Sequence, residues 1–415
     1  MFGIKGAGGR IVREGWHTFG DAVSQRLWPL EGKTLCADAR RRTGLEDFGD
    51  PPIDPALSVL VNSLERQGDL HPLGRFLMRT HLRNILETRL RLTEAWSKQL
   101  ETLDALPIER PIFITGMPRS GSTFFHELLA EDTNNRAPRV WEVMFPIPAP
   151  EAGQRPDDAR IRKTAACLWW FRRIAPKVDS VYPMRAHTPH ECVAIHSYTL
   201  SSEEFVSTCR IPAYETFLRS SGLDPVYAWQ KRFLQHLQSR CPTKRWVLKS
   251  PDHSYGMEEL FHVFPDAIII QTHRNPLEVL KSSTQLTTVL RGLYARPDKC
   301  TDMPIREARV LSDAMERLIR FRDLHPELAH RFIDVKYTEL VFDPLAVIRR
   351  IYQQIDTPLT PTTTERMGQL ISNRSRHQGH RTARTLADLG LDVSAEARRF
   401  NRYCFRFGIP CQLSR

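Results

Sequence analysis

The sequence lacks paired cysteines at C-x-x-C spacing, although it contains Cys36, Cys167, Cys192, Cys209, Cys241, Cys300, Cys404 and Cys411. Such pairs would indicate a zinc site or a thioredoxin-like motif, so neither is predicted, and we expect no metal site. Scattered cysteines in a chain of 415 residues are typical of reduced thiols in a cytosolic protein.

Long apolar runs are also missing, because no stretch reaches the roughly 18 residues that indicate a transmembrane helix. The segment from Met1 to Arg10 lacks the apolar core of a signal peptide. We therefore expect a cytoplasmic protein without a transmembrane segment.

Acidic residues are fewer than basic ones: the chain has 48 aspartates and glutamates and 59 lysines and arginines, which gives a net charge of +11 and a pI near 9.4. This balance favours an anionic partner, such as a polyanionic cofactor, nucleic acid or an acidic membrane surface. The basic residues are scattered, with one triple at 40–42 and no basic tail, so they give little support to nucleic-acid binding. A hydrophobic content of 41% is sufficient for a large core.

The most informative stretch begins with Ile112 to Thr115, a β-branched and aromatic run that predicts a buried strand. Glycines then flank a loop from Gly116 to Gly121. After it, Phe125, Leu128 and Leu129 recur at helical spacing. A strand, a glycine loop and a helix in this order direct backbone N–H groups and a helix N-terminus at an anion.

This loop reads G-x-x-x-x-G-S-T, whereas nucleotide triphosphatases have G-x-x-x-x-G-K-[ST]. Ser122 occupies the position of the lysine that reaches the β- and γ-phosphates, and Arg119 supplies a cation from inside the loop. The missing lysine argues against γ-phosphate chemistry, while the hydroxyls of Ser122 and Thr123 suit a phosphate. An ordinary strand-turn-helix corner, whose glycines serve only the turn, is the alternative.

Three further strands are predicted at 245–249, 267–272 and 331–336, and helical patterns separate them. Such alternation predicts right-handed βαβ units and a parallel sheet. Ligands bind beyond the carboxyl ends of such strands, where Arg119, Lys249, His273 and Arg274 lie. Helical patterns at 55–67 and 72–103 predict a mainly helical N-terminal extension.

The segment Thr272 to Ser283 predicts a well-capped helix. Asn275 is a good N-cap, Pro276 suits the first helical position, and Glu278 stands where a capping-box acid would. Capping explains these three residues without any function, but it does not explain Arg274 or Ser282.

Together these motifs resemble the sulfotransferases that use 3′-phosphoadenosine 5′-phosphosulfate (PAPS), most closely the bacterial ones and more distantly the tyrosylprotein sulfotransferases. The stretch 118–123 is similar to their 5′-phosphosulfate loop. The resemblance implies that this loop binds the 5′-phosphosulfate, through Arg119, Ser120, Gly121, Ser122 and Thr123. It also implies that an arginine and a serine eight positions apart, here Arg274 and Ser282, bind the 3′-phosphate. Lys249 would then donate to the oxygen that bridges phosphate and sulfate.

The resemblance leaves the general base open. Glu142 matches a glutamate of related enzymes by approximate spacing, and a surface carboxylate is the alternative reading. His190 and Glu191 are competitors, with His187 a weaker one. Arg381, in Gly379–Thr382, resembles a loop residue that closes over the 3′-phosphate. Tyr337 matches a recurrent tyrosine at a strand end, although packing explains it equally well.

We therefore predict an α/β protein with a three-layer P-loop-like fold, a central parallel sheet and a helical extension. The extension would cover residues 1–106 and the sulfotransferase-like domain residues 107–415. The predicted reaction transfers a sulfuryl group from PAPS to a hydroxyl or amine, without a metal.

The acceptor is not predicted, although Trp141, Trp169 and Trp170 favour a partly apolar pocket, so lipid, phenol, sterol and sugar all stay open. Residues 155–175 form a basic amphipathic stretch. Peripheral membrane contact stays open, and oligomeric state is not predicted. The alternatives are a P-loop nucleotide kinase or triphosphatase, which would need the missing lysine, and a basic nucleic-acid-binding protein, for which no recognition motif is present.

Overall fold

A parallel sheet forms the centre of the computed structural model, which describes residues 20–153, 158–296, 302–375 and 385–412. Its strands are Ile112–Gly116 (β1), Asn135–Arg136 (β2), Arg245–Lys249 (β3), Ile268–His273 (β4) and Phe332–Lys336 (β5). Their order across the sheet is β2-β3-β1-β4-β5, and every pairing is parallel. The predicted central parallel sheet is therefore present, with β1 at its middle.

The register of the sheet brings the strand ends to one edge. Ile114 on β1 pairs with Lys249, the last residue of β3, and Gly116 pairs with Thr272 near the end of β4. Every residue of β1 and β4 is buried, as expected for central strands that are covered on both faces. Side chains that follow these strands consequently meet at the same edge.

Helices make up most of the remaining chain. Those before the sheet are Asp21–Leu27 (α1), Gly32–Thr43 (α2), Ala56–Gln67 (α3), Pro72–Ser97 (α4) and Leu100–Asp104 (α5). Those between β1 and β3 are Ser122–Leu129 (α6), Val140–Met144 (α7), Ala159–Ile174 (α8), Pro176–Val181 (α9), Val193–His196 (α10), Glu203–Thr208 (α11), Pro212–Ser220 (α12) and Asp224–Gln238 (α13).

After β3 the helices are Met257–Val263 (α14), Pro276–Arg291 (α15), Met303–Leu324 (α16), Tyr337–Phe342 (α17), Pro344–Gln354 (α18), Pro361–Ser375 (α19), Val393–Arg399 (α20) and Asn401–Phe407 (α21). Short 3₁₀ helices span Ser197–Thr199, Pro251–Tyr255, Pro326–Arg331 and Ala387–Leu389. Within the described ranges, no helix is both long enough and apolar enough to span a membrane.

Each face of the sheet is covered by a separate hydrophobic core. On one face, Ile114 and Ile270 pack with Phe125 of α6 and Ile348 of α18. On the other, alternate strand residues such as Phe113 join a larger core that extends to α13 and α16. Because side chains alternate along a strand, the two cores make a three-layer arrangement of helix, sheet and helix.

The N-terminal helices share the larger core with the rest of the chain. Arg89 on α4 is fully buried, and it donates hydrogen bonds of 2.7 Å to the carbonyl oxygens of Phe48 and Tyr198. Its guanidinium also lies 4.4 Å from the ring centroid of Trp229. These contacts join the extension to α13, while its boundary at residue 106 stays a prediction.

Residues 134–150, for which no element is predicted, contain the two-residue strand β2 and the short helix α7. One predicted element needs correction. The helical pattern at 72–103 forms two helices, α4 and α5, with a break at 98–99.

Candidate functional site

The loop between β1 and α6 has backbone angles that require glycine at two positions. Gly116 has a φ of +117°, and a Cβ there would lie 2.3 Å from the carbonyl oxygen of Thr272. Gly121 has a φ of +87°, and a Cβ there would lie 3.0 Å from side-chain atoms of Leu340 and Tyr337. The loop therefore packs closely on β4 and α17, and it leads directly into the N-terminus of α6, as an anion site requires.

The hydroxyl groups of this loop face different surroundings. Ser120 is fully buried, and its hydroxyl donates to the carbonyl oxygen of Met117 at 2.5 Å and lies 2.6 Å from the Thr272 hydroxyl. Ser122 is buried at the start of α6, whereas Thr123 is exposed. The Ser120 side chain thus fixes the loop to β4, and the Thr123 hydroxyl is left for a partner outside the loop.

Lys249 lies at the carboxyl end of β3 with only 2% of its surface exposed. Its ammonium group donates to the Thr123 hydroxyl at 3.2 Å and forms an ion pair with Glu191. A lysine is rarely buried without such partners, because removing an ammonium group from water is costly. The structure therefore joins the end of β3, the phosphate loop and the segment around Glu191 at one point.

Backbone hydrogen bonds hold Glu191 beside this lysine. The amide of Cys192 donates to the carbonyl oxygen of Lys249 at 2.9 Å, and the amide of His190 donates to Pro138 O at 2.7 Å. The Tyr182 hydroxyl donates to the Glu191 carboxylate at 3.0 Å. Burial raises the pKa of Glu191, but the Lys249 ammonium and these hydrogen bonds outweigh it, so the pKa lies below its ordinary value of 4.5.

Arg119 and Arg274 form a second cationic group at the same edge. Arg119 adopts a φ of +63°, and its guanidinium donates to the Ser282 hydroxyl at 3.0 Å and to Val181 O at 3.1 Å. Arg274 donates to the carbonyl oxygen of Arg119 at 2.6 Å, and its guanidinium lies 4.2 Å from the ring centroid of Tyr337. Burial lowers the pKa of Arg119, and the positive charge of Arg274 lowers it further.

The remaining predicted residues are placed as follows. Glu142 is buried on α7, where its carboxylate accepts hydrogen bonds of 2.8 Å from Arg136 and from the amide of Arg139. One oxygen thus caps the start of α7 and the other pairs with Arg136 of β2, and within the described ranges Glu142 shares no hydrogen bond with Lys249. His190 is half-buried next to Glu191, His187 is exposed, and Arg381 lies outside the described residues.

Burial lowers the pKa of His190, although the negative charges of Glu191 and Glu204 oppose this effect. The imidazole is therefore neutral at pH 7. Among the described residues, no group of three or more histidine, cysteine, aspartate or glutamate side chains is arranged to hold a metal ion.

Sequence reasoning missed Tyr182 entirely and ranked Glu191 behind Glu142. Both residues lie in irregular segments, where no strand or helix periodicity predicts where a side chain lies. The segment around Glu191 is held in place by an isolated bridge between Arg139 and Pro189 and by the Cys192–Lys249 hydrogen bond. Neither contact has a local signal in the sequence.

A polar cavity of about 110 Å³ is lined in part by Asp252, which comes three residues after Lys249. Its lining also includes Glu203, Arg219, Tyr255 and Arg317. Burial raises the pKa of Asp252, and the nearby charges of Glu203 and Glu191 raise it further. A protonated Asp252 and the ion-paired Arg219 and Glu203 therefore offer both donors and acceptors to this cavity.

Comparison with known proteins identifies relatives of this arrangement. Residues 111–361 match the model of the sulfotransferase family. Over 275 residues the chain is 26% identical to omega-hydroxy-beta-dihydromenaquinone-9 sulfotransferase Stf3 of Mycobacterium bovis and of Mycobacterium tuberculosis. The matched region covers 61% of this chain and 64% of those relatives, which is less than two thirds of their length.

Solved structures agree with the fold over most of the chain. Sulfotransferase STF9 from Mycobacterium avium has a TM-score of 0.81 and 30% identity, covering 91% of this chain and 97% of that one. Sulfotransferase STF1 from Mycobacterium tuberculosis has a TM-score of 0.78 and 28% identity, covering 89% and 97%. The predicted P-loop-like fold is confirmed, and the chain belongs to the sulfotransferase family.

Proposed function

We propose that this protein transfers a sulfuryl group from PAPS to a hydroxyl group of a lipid acceptor. The observation that carries the proposal is one connected set of cations, Arg119, Lys249 and Arg274, which follow three adjacent strands of the sheet. PAPS bears roughly four negative charges, about two of them on its 3′-phosphate, so it needs such a set. A triphosphatase would need a lysine where the loop has Ser122, so the structure favours PAPS over ATP.

The residues present fit both anionic ends of this donor. The amide groups at the start of α6, with Ser122 and Thr123, suit the 5′-phosphosulfate, because glycines at positive φ let the backbone approach an anion closely. Arg274 and Ser282 suit the 3′-phosphate, and Arg119 of the loop, which is joined to both by hydrogen bonds, extends its assignment from the 5′-phosphosulfate to this phosphate. Arg381 is assigned to the same phosphate on its sequence resemblance alone.

When bound, PAPS supplies an activated sulfuryl group whose bridging oxygen gains negative charge as the S–O bond breaks. Lys249 would donate a hydrogen bond from Nζ to that oxygen. Removing a donor of this kind costs ~10²–10³-fold in rate. The Thr123 hydroxyl, 3.2 Å away, orients the Lys249 ammonium toward the phosphate loop.

We assign the general base to Glu191 rather than to Glu142 or His190. Glu191 already contacts Lys249, whereas the Glu142 carboxylate is occupied by Arg136 and the amide of Arg139. Contact between an anionic oxygen and Lys249 Nζ weakens the pairing with Glu191. The pKa of Glu191 then rises, which makes it a stronger base for the acceptor proton.

The lipid acceptor is inferred from the relatives named for a hydroxylated menaquinone, at 26% identity. An assay with ³⁵S-labelled PAPS and hydroxylated polyprenyl quinones, followed by extraction of labelled lipid, tests this acceptor class. Label found only on water-soluble sugars or phenols would refute it.

Calorimetry with adenosine 3′,5′-bisphosphate tests the donor site without any acceptor. We expect wild type to bind and Arg274→Ala to bind at least about tenfold more weakly, because a charge-assisted hydrogen bond is lost. Arg349→Ala removes an exposed arginine of α18 and should bind like wild type. Equal affinities for all three proteins would count against the assigned pocket.

A further inference from the structure

The outer face of helix α8 (Ala159–Ile174) exposes two large aromatic side chains. Trp169 and Trp170 are 44% and 62% exposed, and their rings meet edge to face with centroids 4.9 Å apart. Thr164 and Leu168, on the opposite side, are buried and hold the helix to the protein. Because the helix is anchored by its other side, the tryptophan pair is not needed for its packing.

The same face is strongly basic. Helix α8 contains Arg160, Arg162, Lys163, Arg172 and Arg173 and no acidic residue. Of these, Arg162, Lys163 and Arg173 are exposed. The Arg173 guanidinium lies 4.4 Å from the ring centroid of Trp169, and the Lys163 ammonium lies 4.1 Å from that of Phe145. One cation thus lies over the exposed ring of Trp169 and another over the half-buried ring of Phe145.

We propose that this face, formed by Arg162, Lys163, Trp169, Trp170 and Arg173 and here called the docking face, binds the surface of an anionic phospholipid bilayer. Tryptophan is favoured at the level of lipid headgroups, because its ring is apolar and its N–H is polar. Lysine and arginine next to it are attracted by acidic headgroups.

The docking face is connected to the candidate site by one short helix. Helix α9 (Pro176–Val181) follows α8 directly, and Ala175 and Val178 are buried against Leu293. At its end, Val181 O accepts a hydrogen bond from Arg119, and the next residue, Tyr182, donates to Glu191. A bilayer bound at α8 therefore lies next to the elements that hold the proposed base, where a lipid hydroxyl has to arrive.

Charge distinguishes a bilayer from a second copy of the chain as the occupant. A two-fold symmetric contact places the same surface of each copy against the other. The three exposed basic residues of the docking face, Arg162, Lys163 and Arg173, would then face their own equivalents with no acidic residue on α8 to pair with them, and like charges brought together are destabilising. An anionic lipid surface offers the opposite charge to the whole face.

Sedimentation with lipid vesicles tests the proposal on the full chain. The vesicles contain phosphatidylcholine alone or with about 30 mol% phosphatidylglycerol, a fraction that sets the negative surface potential. We expect wild type to bind the anionic vesicles at least about tenfold more tightly than the neutral ones, and less tightly at high salt. Trp169→Ala/Trp170→Ala and Lys163→Glu/Arg173→Glu should each lose at least about tenfold in vesicle affinity.

Matched control variants change equivalent groups on other helices. Phe405→Ala removes a side chain that is 90% exposed on α21, and Arg349→Glu/Arg398→Glu makes the same change in net charge on α18 and α20. Both should bind vesicles within about twofold of wild type if the docking face is responsible. Unchanged affinity for adenosine 3′,5′-bisphosphate in every variant would show that the fold is retained.

Three results would overturn the proposal: no binding of wild type to anionic vesicles, equal losses in docking-face and control variants, or a wild-type dimer that Trp169→Ala/Trp170→Ala converts to a monomer. Light scattering on the purified proteins detects the last. The inference rests on the proposed function for its purpose only. Vesicle binding needs no sulfuryl transfer, so a failure to bind vesicles would not contradict the proposed donor site. Equally, a failure to bind adenosine 3′,5′-bisphosphate would not contradict vesicle binding.

Discussion

Replacing Glu191 by glutamine separates the two roles that we assign to its carboxylate. The carboxylate pairs with Lys249, and it takes the proton from the hydroxyl group of the acceptor. Glutamine keeps the size of the side chain and an oxygen for the Tyr182 hydroxyl, but it removes the charge. We expect kcat to fall ~10²–10⁴-fold, the range attributed to general acid–base groups. We do not expect donor binding to weaken, because the carboxylate competes with an anion for the Lys249 ammonium.

The geometry of the pair sets the size of the effect on binding. The side chains of Lys249 and Glu191 are 3% and 16% exposed, so solvent screens their interaction poorly. Two unit charges at ~4 Å with an effective dielectric constant of ~20 interact by ~4 kcal/mol, which bounds what an arriving anion has to displace. If about a third of this interaction energy, ~1.4 kcal/mol, no longer opposes anion binding in Glu191→Gln, adenosine 3′,5′-bisphosphate should bind ~tenfold more tightly to this variant than to wild type.

The pH dependence of kcat/KM follows from the lowered pKa of Glu191. A base acts in its deprotonated form, and the pKa of the free enzyme's Glu191 lies below 4.5. Activity should therefore be lost only as the pH falls below that value, and kcat/KM should show no acidic inflection between pH 5 and 7 from this group.

Initial-rate kinetics and calorimetry on Glu191→Gln, His190→Asn and Glu142→Gln distinguish the three candidate bases. His190→Asn is the neighbouring control and should retain kcat within about threefold, since a half-buried neutral imidazole is more often structural. The assignment fails if Glu191→Gln keeps wild-type kcat, or if Glu142→Gln alone loses ~10²-fold in kcat without a loss of stability.

Three further variants test the surroundings of the site. Glu142→Gln breaks a buried ion pair with Arg136 and should lower the free energy of unfolding by ~3 kcal/mol and the Tm by roughly 3–4 °C in calorimetry. Gly121→Ala places a Cβ at a φ of +87°, so it should cost ~1–2 kcal/mol of stability and weaken bisphosphate binding. Tyr182→Phe removes a hydrogen bond that lowers the pKa of Glu191, so the acidic limb of kcat/KM should move to higher pH. A wild-type Tm for Glu142→Gln, a wild-type bisphosphate affinity for Gly121→Ala or an unshifted pH profile for Tyr182→Phe would each contradict the expectation for that variant.

The sequence was sufficient for the strand-loop-helix unit and for the edge at which its partners lie. Apolar runs of five or six residues are readable as buried strands, and parallel pairing then requires their carboxyl ends to share one edge. The proximity of Lys249 to the phosphate loop follows, as the pairing of Ile114 with Lys249 confirms. The contact of Arg274 with Arg119 follows in the same way.

The part that could not be predicted is set by contacts between irregular segments. Glu142 and Glu191 are both glutamates after the phosphate loop, and spacing alone does not distinguish them. Glu142 lies three residues after Arg139, where a carboxylate satisfies the free amide at a helix start. Glu191 reaches Lys249 only because the Cys192 amide pairs with the end of β3. The first contact is a local cap, whereas the second depends on a long-range backbone contact, and neither is predicted by strand or helix periodicity.

The three cations of the site are held by groups that an anion can replace. Lys249 is neutralised by Glu191, while Arg119 donates to Ser282 and to a carbonyl oxygen. Arg274 donates to a carbonyl oxygen and lies against an aromatic ring. Each guanidinium or ammonium is thus oriented in advance by weaker partners, so little side-chain freedom remains to be lost when phosphate and sulfate groups arrive. Burial lowers the pKa of Arg119 and the positive charge of Arg274 lowers it further, so a doubly charged phosphate between the two guanidinium groups would relieve their repulsion.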